Sequence, residues 1–301
     1  MSVQKILKFC CLTYNLNQKS LSEEQIRILF LPHTQKDFDI YIIATQECER
    51  SILLNLIYDD KSSFEFKLKN FFGEDFFNLE PITLGGIHLI IFAKKKYKFP
   101  IKNYENNHIK TGFRRLFSNK GAVSIFVNIF NFSFLIINSH FNKGKDKLSE
   151  RNDDSNYIYE SINPKIDKIN VVIWMGCLNY KVDAELSEFS EAYIKGKELS
   201  LLKKDEMIKE RKYNNSFIFK KFNEGKINFL PSSKYQIGTS KINWTDKENY
   251  PSWADRIFYK IYQNARINFS FDLIKYDCMN DISFSDHKPV YAYFNFDYSN
   301  I

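Results

Sequence analysis

The sequence predicts a mixed α/β sandwich in a single domain spanning residues 1–301. Three observations carry this. Short apolar runs that read as strands recur along the chain, segments of helical character lie between several of them, and two β-rich runs face each other across a short turn. No internal repeat is visible, and no linker is long enough to divide the chain. At 301 residues and 44% hydrophobic, the chain can bury a sizeable core.

In order, residues 9–14 form a short apolar strand with Asn15 at its polar tip. Ser22-Glu23-Glu24-Gln25 has the spacing of a capping box and opens a helix through Phe30. Residues 38–44 read as a buried strand ending at Thr45-Gln46-Glu47, 52–58 as a helix, and 86–93 as a strand. Residues 122–130 and 132–138 flank Asn131 as a hairpin whose second arm runs into Ser139-His140. A polar helix covers 147–161. Residues 169–173 form a strand that Gly176 is expected to break with a sharp turn, leaving Asn179 to point into a cleft. The stretch 184–212 reads as mostly helical, and 255–262, 265–273 and 289–296 as late strands. The charge-rich segments 143–154 and 203–215 read as surface loops or helix faces.

The formal net charge is +7, which favours anionic partners such as nucleic acid, inositol phosphates or an anionic membrane surface. Surplus surface lysine explains the same number equally well. The five cysteines, Cys10, Cys11, Cys48, Cys177 and Cys278, are odd in number and contain no C-x-x-C pair, so neither a disulfide framework nor a zinc site is expected. The first eight residues are too short and polar for a signal peptide, and no apolar run reaches the roughly 18 residues that span a bilayer. The tail Tyr298-Ser299-Asn300-Ile301 lacks a prenylation cysteine. A cytoplasmic protein is expected, reaching a membrane only as a peripheral one, by surface attraction or through a partner.

Polar residues suited to phosphate chemistry sit just past strand ends: Asn15, Glu47, His140, Asn179, Asp255, and Asp286 with His287. One such residue alone is usually a turn residue. Seven at strand ends that can converge on one sheet edge suggest a site.

Longer segments now become informative. Leu12-Thr13-Tyr14-Asn15-Leu16-Asn17, Tyr41-Ile42-Ile43-Ala44-Thr45-Gln46-Glu47, Ser118-Asn119-Lys120-Gly121-Ala122-Val123 and Asn138-Ser139-His140-Phe141 come first. Residues 174–182, Pro251-Ser252-Trp253-Ala254-Asp255-Arg256-Ile257 and Ser285-Asp286-His287-Lys288-Pro289-Val290 follow. In this order they resemble the inositol polyphosphate 5-phosphatase family of the deoxyribonuclease-I-like superfamily. Together the Trp-x-Gly-x-Leu-Asn-Tyr, Pro-Ser-Trp-x-Asp-Arg-Ile and Ser-Asp-His-Lys-Pro-Val segments are highly specific, whereas any one alone is weak. The resemblance implies a four-layer sandwich, two packed mixed β-sheets flanked by helices. It also implies Mg²⁺-dependent removal of the 5-phosphate from phosphoinositides or soluble inositol polyphosphates by in-line water attack. Glu47 matches the metal carboxylate, with Asn15 beside it. His140 matches a histidine on the scissile phosphate, His287 the second one, and Asp255 the carboxylate that orients His287 and favours its charged form. Asp286 matches an acid beside metal and water, and Asn179 the amide on phosphate or nucleophile. Asn119, Lys120, Lys234 and Lys247 fall at substrate-binding positions, the last two suited to a neighbouring 4-phosphate.

Four positions depart from the pattern. Cys177 stands where the family has the Asp of Gly-Asp-x-Asn. A thiol is a poor acceptor with an unperturbed pKa near 8.5, and beside Glu47 and Asp286 its ionisation is expected to be disfavoured. A Cys-x₅-Arg phosphatase loop is not present, since its Arg position is Asp183. Gly144 replaces a second histidine four residues after His140, with Lys143 and Lys145 flanking it. In the substrate loop Ser233 replaces a Tyr, and Asn249 replaces an Arg whose bidentate fork it cannot supply. The expectation is therefore a slow Mg²⁺ phosphatase. The competing reading is a pseudophosphatase that binds phosphoinositides or a protein partner without turnover, favoured by Cys177, Gly144 and Asn249. Nucleic acid is not an expected partner, because a nuclease would show a longer basic track.

Overall fold

The structure, a computed structural model, describes residues 5–49, 60–112, 115, 117–162, 169–245, 250–262 and 269–298. The helix expected over 52–58 and the residues Lys247 and Asn249 lie outside that set.

Among the described residues, thirteen strands make two sheets. The strands are β1 (Ile6–Asn15), β2 (Ile40–Gln46), β3 (Phe76–Asn78), β4 (Ile82–Leu84), β5 (Ile87–Lys94), β6 (Ile101–Lys110), β7 (Gly121–Ile129), β8 (Phe132–His140), β9 (Val171–Cys177), β10 (Asn223–Glu224), β11 (Asp255–Ile261), β12 (Ser270–Cys278) and β13 (Val290–Asp297). One sheet runs β12-β13-β1-β2-β5-β3, with β4 also on β5; the other runs β10-β11-β9-β8-β7-β6. Among the described residues, only β1 with β2 and β8 with β9 pair in parallel.

Period-two alternation sorts each strand between layers. Phe9, Cys11, Ile40, Ile42 and Ala44 face Val123, Ile125, Ile136, Ile173 and Met175 across the inter-sheet core. Their sequence neighbours Leu12, Tyr14, Tyr41 and Ile43 turn outward onto α1 (Glu23–Thr34) and α2 (Ser62–Phe72). The far face of the second sheet, with Leu135, Ile137, Val172 and Trp174, is covered by α3 (Leu148–Ile162) and the segment around Phe217 and Phe219. Both faces of the central strands are therefore buried, which is why they read as continuous apolar runs. The result is four layers, as the family resemblance implies.

Ser22 accepts from the Gln25 amide while Gln25 accepts from the Ser22 amide, so the capping box forms, and the helix runs on past Pro32 to Thr34. Three expectations are corrected. The stretch 184–212 is not one helix but α4 (Leu186–Ile194), a 3₁₀ segment (Glu198–Lys204) and α5 (Glu206–Tyr213). Of the strand expected over 265–273, residues 265–268 lie outside the described residues, and the described strand runs on from Ser270 to Cys278. Gly176 does not end its strand: it lies inside β9 at φ 146, where an added Cβ would sit 2.0 Å from the Ser139 carbonyl oxygen. Its job is close approach of β9 to β8. The positive-φ turn falls on Asn179, at φ 56.

Candidate active site

Topology gathers the strand-end residues. The ends of β1, β2, β8 and β9 and the starts of β7, β11 and β13 lie at one edge, because antiparallel neighbours begin where the others finish. In register across three strands stand His140, Cys177 and Asp255. A polar clamp beneath them ties the sheets together. Gln46 Nε2 donates to Asn138 Oδ1 (2.7 Å), and Asn138 Nδ2 donates to the Thr45 and His88 carbonyls (3.0 and 2.8 Å). All of these groups are buried, so the bonds satisfy polar atoms that water cannot reach.

On one side sit Glu47, His140 and Lys120. Glu47, at φ 48, follows β2 directly and places Oε1 3.6 Å from His140 Nε2. Lys120 is buried, with Nζ 2.7 Å from the same Nε2. Burial and then the Lys120 ammonium hold the His140 pKa well below its ordinary value, so the ring is neutral and accepts from Lys120. The Glu47 contact is therefore not an ion pair at neutral pH. Burial also lowers Lys120 to about 8, against the pull of Glu47 and Cys177. Asn15 leaves the sheet beside Glu47, with Oδ1 accepting from the Asn17 amide (2.9 Å). Asn119 is half-buried and packs tightly on Gly112, where a Cβ would sit 2.2 Å from Asn119 Oδ1.

On the other side sit His287, Asp255 and Asp286. His287 Nδ1 and Asp255 Oδ2 are 2.7 Å apart, and Ser232 Oγ donates to that same oxygen (2.7 Å). Burial disfavours the imidazolium, but Asp255 and then Cys177 outweigh it and raise the His287 pKa well above its ordinary value. Lys234 Nζ donates to Asp286 Oδ2 at 2.7 Å. Despite burial, His287 and Lys234 hold the Asp286 carboxyl below the usual range.

Cys177 lies between the two sides and is fully buried. Its sulfur, a ring nitrogen of His287 and a carboxylate oxygen of Asp255 all lie within 4.8 Å of one another. Glu47 lies beside His140 and Asp286 pairs with Lys234. Cys177 interacts with His287, Lys120 and Lys181.

Sequence reasoning missed Lys181. It is buried, lowered to about 8 mainly by that burial, and its Nζ donates to Asn179 Oδ1 (3.3 Å) while Asn179 Nδ2 donates to the Phe141 carbonyl (2.9 Å). Its own amide donates to Glu206 Oε2 (2.7 Å). Arg151 binds the same oxygen (2.6 Å) and also donates to the carbonyls of Asn142 and Gly144 (3.1 and 2.8 Å). The loop after His140, where Gly144 stands, is thus pinned by a guanidinium. Within the Pro-Ser-Trp-x-Asp-Arg-Ile segment only Asp255 faces the site. Trp253 Nε1 donates to the Phe229 carbonyl (2.9 Å) and holds the segment there, while buried Arg256 pairs with Glu224 and Asp205 and ties β11 to β10 and the start of α5. In the substrate loop Ser233 Oγ is held against Ser252 (3.2 Å).

A two-sheet sandwich thus presents carboxylate, imidazole, amide and buried ammonium groups at one edge. The chain belongs to Endonuclease/Exonuclease/phosphatase family 2, whose model matches residues 12–293. Within that family it is similar to inositol polyphosphate 5-phosphatase domains. It is 27% identical to phosphatidylinositol 4,5-bisphosphate 5-phosphatase of Saccharomyces cerevisiae, over 94% of this chain and 30% of the relative. It is 30% identical to phosphatidylinositol 3,4,5-trisphosphate 5-phosphatase 1 of Xenopus laevis, over 86% and 26%. The chain thus spans about a third or less of these two relatives. The inositol polyphosphate 5-phosphatase domain of synaptojanin, solved with inositol (1,4)-bisphosphate and calcium ion, superposes with a TM-score of 0.82 at 27% identity, covering 97% of this chain and 85% of that one. A Cimex nitrophorin in its ferrous NO complex superposes at 0.76 with 16% identity, covering 97% and 99%, a likeness of fold alone. One fold carries both, so function has to be argued from the site.

Proposed function

We propose that this chain is a divalent-metal-dependent phosphoric monoester hydrolase that removes the 5-phosphate of phosphoinositides or inositol polyphosphates. The observation that carries the reading is the pairing of oppositely tuned groups at one edge: a charged His287 held by Asp255, and a neutral His140 beside the Lys120 ammonium.

The donor set suits a hard cation. Glu47 offers a carboxylate and Asn15 an amide oxygen, and Mg²⁺ takes one or two such ligands and keeps several waters. When bound there it would polarise a phosphoryl oxygen and offset developing charge. This chain's own residues do the rest. Lys120 and the charged His287 neutralise phosphoryl oxygens, and Asn179, locked by Lys181 and the Phe141 carbonyl, orients the phosphate or the attacking water. Cys177 occupies the position from which a carboxylate would take the water's proton, so turnover is slow. The positive net charge favours an anionic membrane surface, and no helix among the described residues is long and apolar enough to cross a membrane.

The test is phosphate release from a panel of inositol phosphates and phosphoinositides with Mg²⁺, wild type beside Cys177→Asp. The variant is expected to raise kcat by about tenfold or more with KM little changed, because the residue acts on water and not on recognition. If neither protein turns over yet both bind head groups, the binding-only reading replaces hydrolysis.

A further inference from the structure

Resting on the phosphatase reading above, we propose that Lys145, seated on the ring of Tyr250, binds a head-group phosphate other than the one being hydrolysed. β8 runs parallel to β9 and β11 antiparallel to it, with His140, Cys177 and Asp255 in register. The chain therefore leaves β8 and enters β11 at the same edge, on either side of the end of β9. Lys145 lies five residues past His140, and Tyr250 five residues ahead of Asp255. Lys145 Nζ sits 4.0 Å from the centroid of the Tyr250 ring. The pair closes a bridge across the end of β9, where Cys177 and Asn179 stand.

Both ends of the bridge are fixed. Arg151 donates to the carbonyls of Asn142 and Gly144, just ahead of Lys145. Ser252, two residues after Tyr250, pairs with Ser233 through both backbone amides (3.2 and 2.9 Å), and the Tyr250 ring packs on Phe189 of α4 with centroids 5.7 Å apart. Between the two ends the Phe141 amide donates to the Cys177 carbonyl (3.1 Å) and the Leu178 amide to the Ala254 carbonyl (2.7 Å). The bridge and the Asn179 turn are thus stitched into one unit.

The bridging ammonium differs from the others at this edge. Lys120, Lys181 and Lys234 each meet a protein acceptor, on His140, Asn179 and Asp286. Lys145 is exposed, and among the described residues it has no hydrogen bond and no ion pair. The acids of the same rim have other cations: Asp183 pairs with Lys209 at 2.7 Å, and Lys147 with Glu150 at 2.6 Å and Asp146 at 3.8 Å. An aromatic face attracts an ammonium without supplying a lone pair, so it restrains where the charge sits and leaves N–H donors for an anion. The neighbours in sequence agree with this. Gly144 directly precedes Lys145 and Asn249 directly precedes Tyr250, so the bridge is built beside the two positions where the family's histidine and arginine are missing. A cation held on a ring returns one positive charge to that rim.

The test reads binding without turnover. Inositol (1,4)-bisphosphate has no 5-phosphate to remove, so the full chain is titrated with it calorimetrically, beside inorganic phosphate. Lys145→Ala is expected to weaken the bisphosphate about tenfold and inorganic phosphate not at all, as the loss of one charge-assisted hydrogen bond implies. Lys147→Ala, on the same loop but paired with Glu150, is expected to change neither. Tyr250→Leu is expected to cost about threefold alone and nothing further on top of Lys145→Ala, because the ring acts through the ammonium, and Tyr250→Phe to match the wild type. Vesicles carrying phosphatidylinositol 4-phosphate, against phosphatidylserine vesicles of equal charge, separate the sources of the phosphate. A selective loss on the phosphoinositide extends the site to lipid head groups, and a loss with the soluble bisphosphate alone confines it to free inositol phosphates. Equal losses for bisphosphate and inorganic phosphate, equal losses on both vesicles, or a Lys147→Ala effect as large as that of Lys145→Ala overturn the proposal. If the wild type binds the bisphosphate and Lys145→Ala loses nothing, the bridge has no recognition role and the phosphatase reading stands. If the wild type binds it, Lys145→Ala weakens it, and no 5-phosphate is released, the bridge stands and hydrolysis does not. A wild type that does not bind the bisphosphate ends both.

Discussion

Two histidines meet at one sheet edge in this protein, and the fold drives them in opposite directions. His140 and His287 are both buried. Burial alone would leave each ring neutral. His140 has an ammonium, Lys120, at 2.7 Å and stays neutral; His287 has a carboxylate, Asp255, at 2.7 Å and is charged. In a dry site the nearest partner sets the charge, because Coulomb terms that water would screen act there at close to full strength. The same chain therefore presents an acceptor ring on β8 and a donor ring ahead of β13, and the proposed chemistry depends on keeping them different.

The strongest way to break that difference is on the neutral side. Glu47→Gln removes the only carboxylate that the described residues place against His140 and Lys120. Mg²⁺-dependent turnover is expected to fall about 10³-fold, as the loss of several kcal/mol of charge stabilisation implies. Calorimetric titration with Mg²⁺ checks the assignment directly, and an unchanged affinity would remove Glu47 from the metal site.

Asp255→Asn strikes the charged side. Turnover is expected to fall about 10²-fold, and stability near neutral pH by about 3 kcal/mol, because a buried ionic pair loses one partner. The pH dependence carries the sign. The His287 pKa is raised in the fold, so its contribution is complete below the unfolded value of about 6.5 and is lost as pH rises through the folded value. The His140 pKa is lowered, so its ring costs nothing above about 6.5 and destabilises as pH falls below that, where the unfolded chain takes a proton the folded one refuses. Denaturant midpoints measured from about pH 5 to 9 are expected to show both limbs in the wild type. Asp255→Asn should erase the alkaline limb, and His140→Asn should shrink the acid one to the part that His33, lowered to about 4 by burial, contributes. If Asp255→Asn keeps the alkaline limb, Asp255 is not what charges His287.

Lys181→Met tests a residue on neither ring. It frees Asn179 Oδ1, and kcat is expected to drop roughly tenfold with KM nearly constant, with Lys181→Arg recovering most of the loss. Equal losses in Met and Arg would show that the ammonium acts by something other than a hydrogen bond to Asn179.

How much of this was legible in the sequence follows from the range of the interactions. β1, β2, β5, β7, β8, β9, β11 and β13 announce themselves because they are buried on both faces or alternate cleanly. β6 does not: Asn103, Asn106, Asn107 and His108 give an edge strand no apolar period. α2 went unread because it opens at Lys61 with no side-chain cap, unlike the Ser22 box of α1. The strand-end residues were readable as a set because topology, which sequence order constrains, brings them to one edge. Their charges were not. Nothing local to His140 says that Lys120, twenty positions earlier, will lie beside its ring, and nothing around Cys177 says that its neighbours will include His287, Lys120 and Lys181. No local signal in the sequence marks Lys181, whose amide meets Glu206 from α5, itself held by Arg151 from α3.

The smallest expected effect is at Lys234, and it separates two roles that geometry allows. The ammonium already has an anionic partner, Asp286 Oδ2 at 2.7 Å, in a partly exposed setting where such a pair is worth about 1 kcal/mol. An ammonium carries three donors, so a substrate 4-phosphate can share Lys234 with Asp286 without displacing it. If it does, Lys234→Ala raises KM about tenfold for substrates bearing a 4-phosphate, leaves KM for those lacking one unchanged, and barely alters kcat on either. If Lys234 serves only Asp286, the variant releases that carboxylate from one of the two cations holding its pKa down, and kcat falls equally on both substrates while KM stays put. Lys247→Ala, measured separately and combined with Lys234→Ala, extends the comparison to the second lysine of the expected subsite. Two single variants that are each selective for 4-phosphate substrates, and whose KM effects fail to multiply in the double, place both lysines on the same phosphate, and a selective effect in neither removes the 4-phosphate subsite altogether.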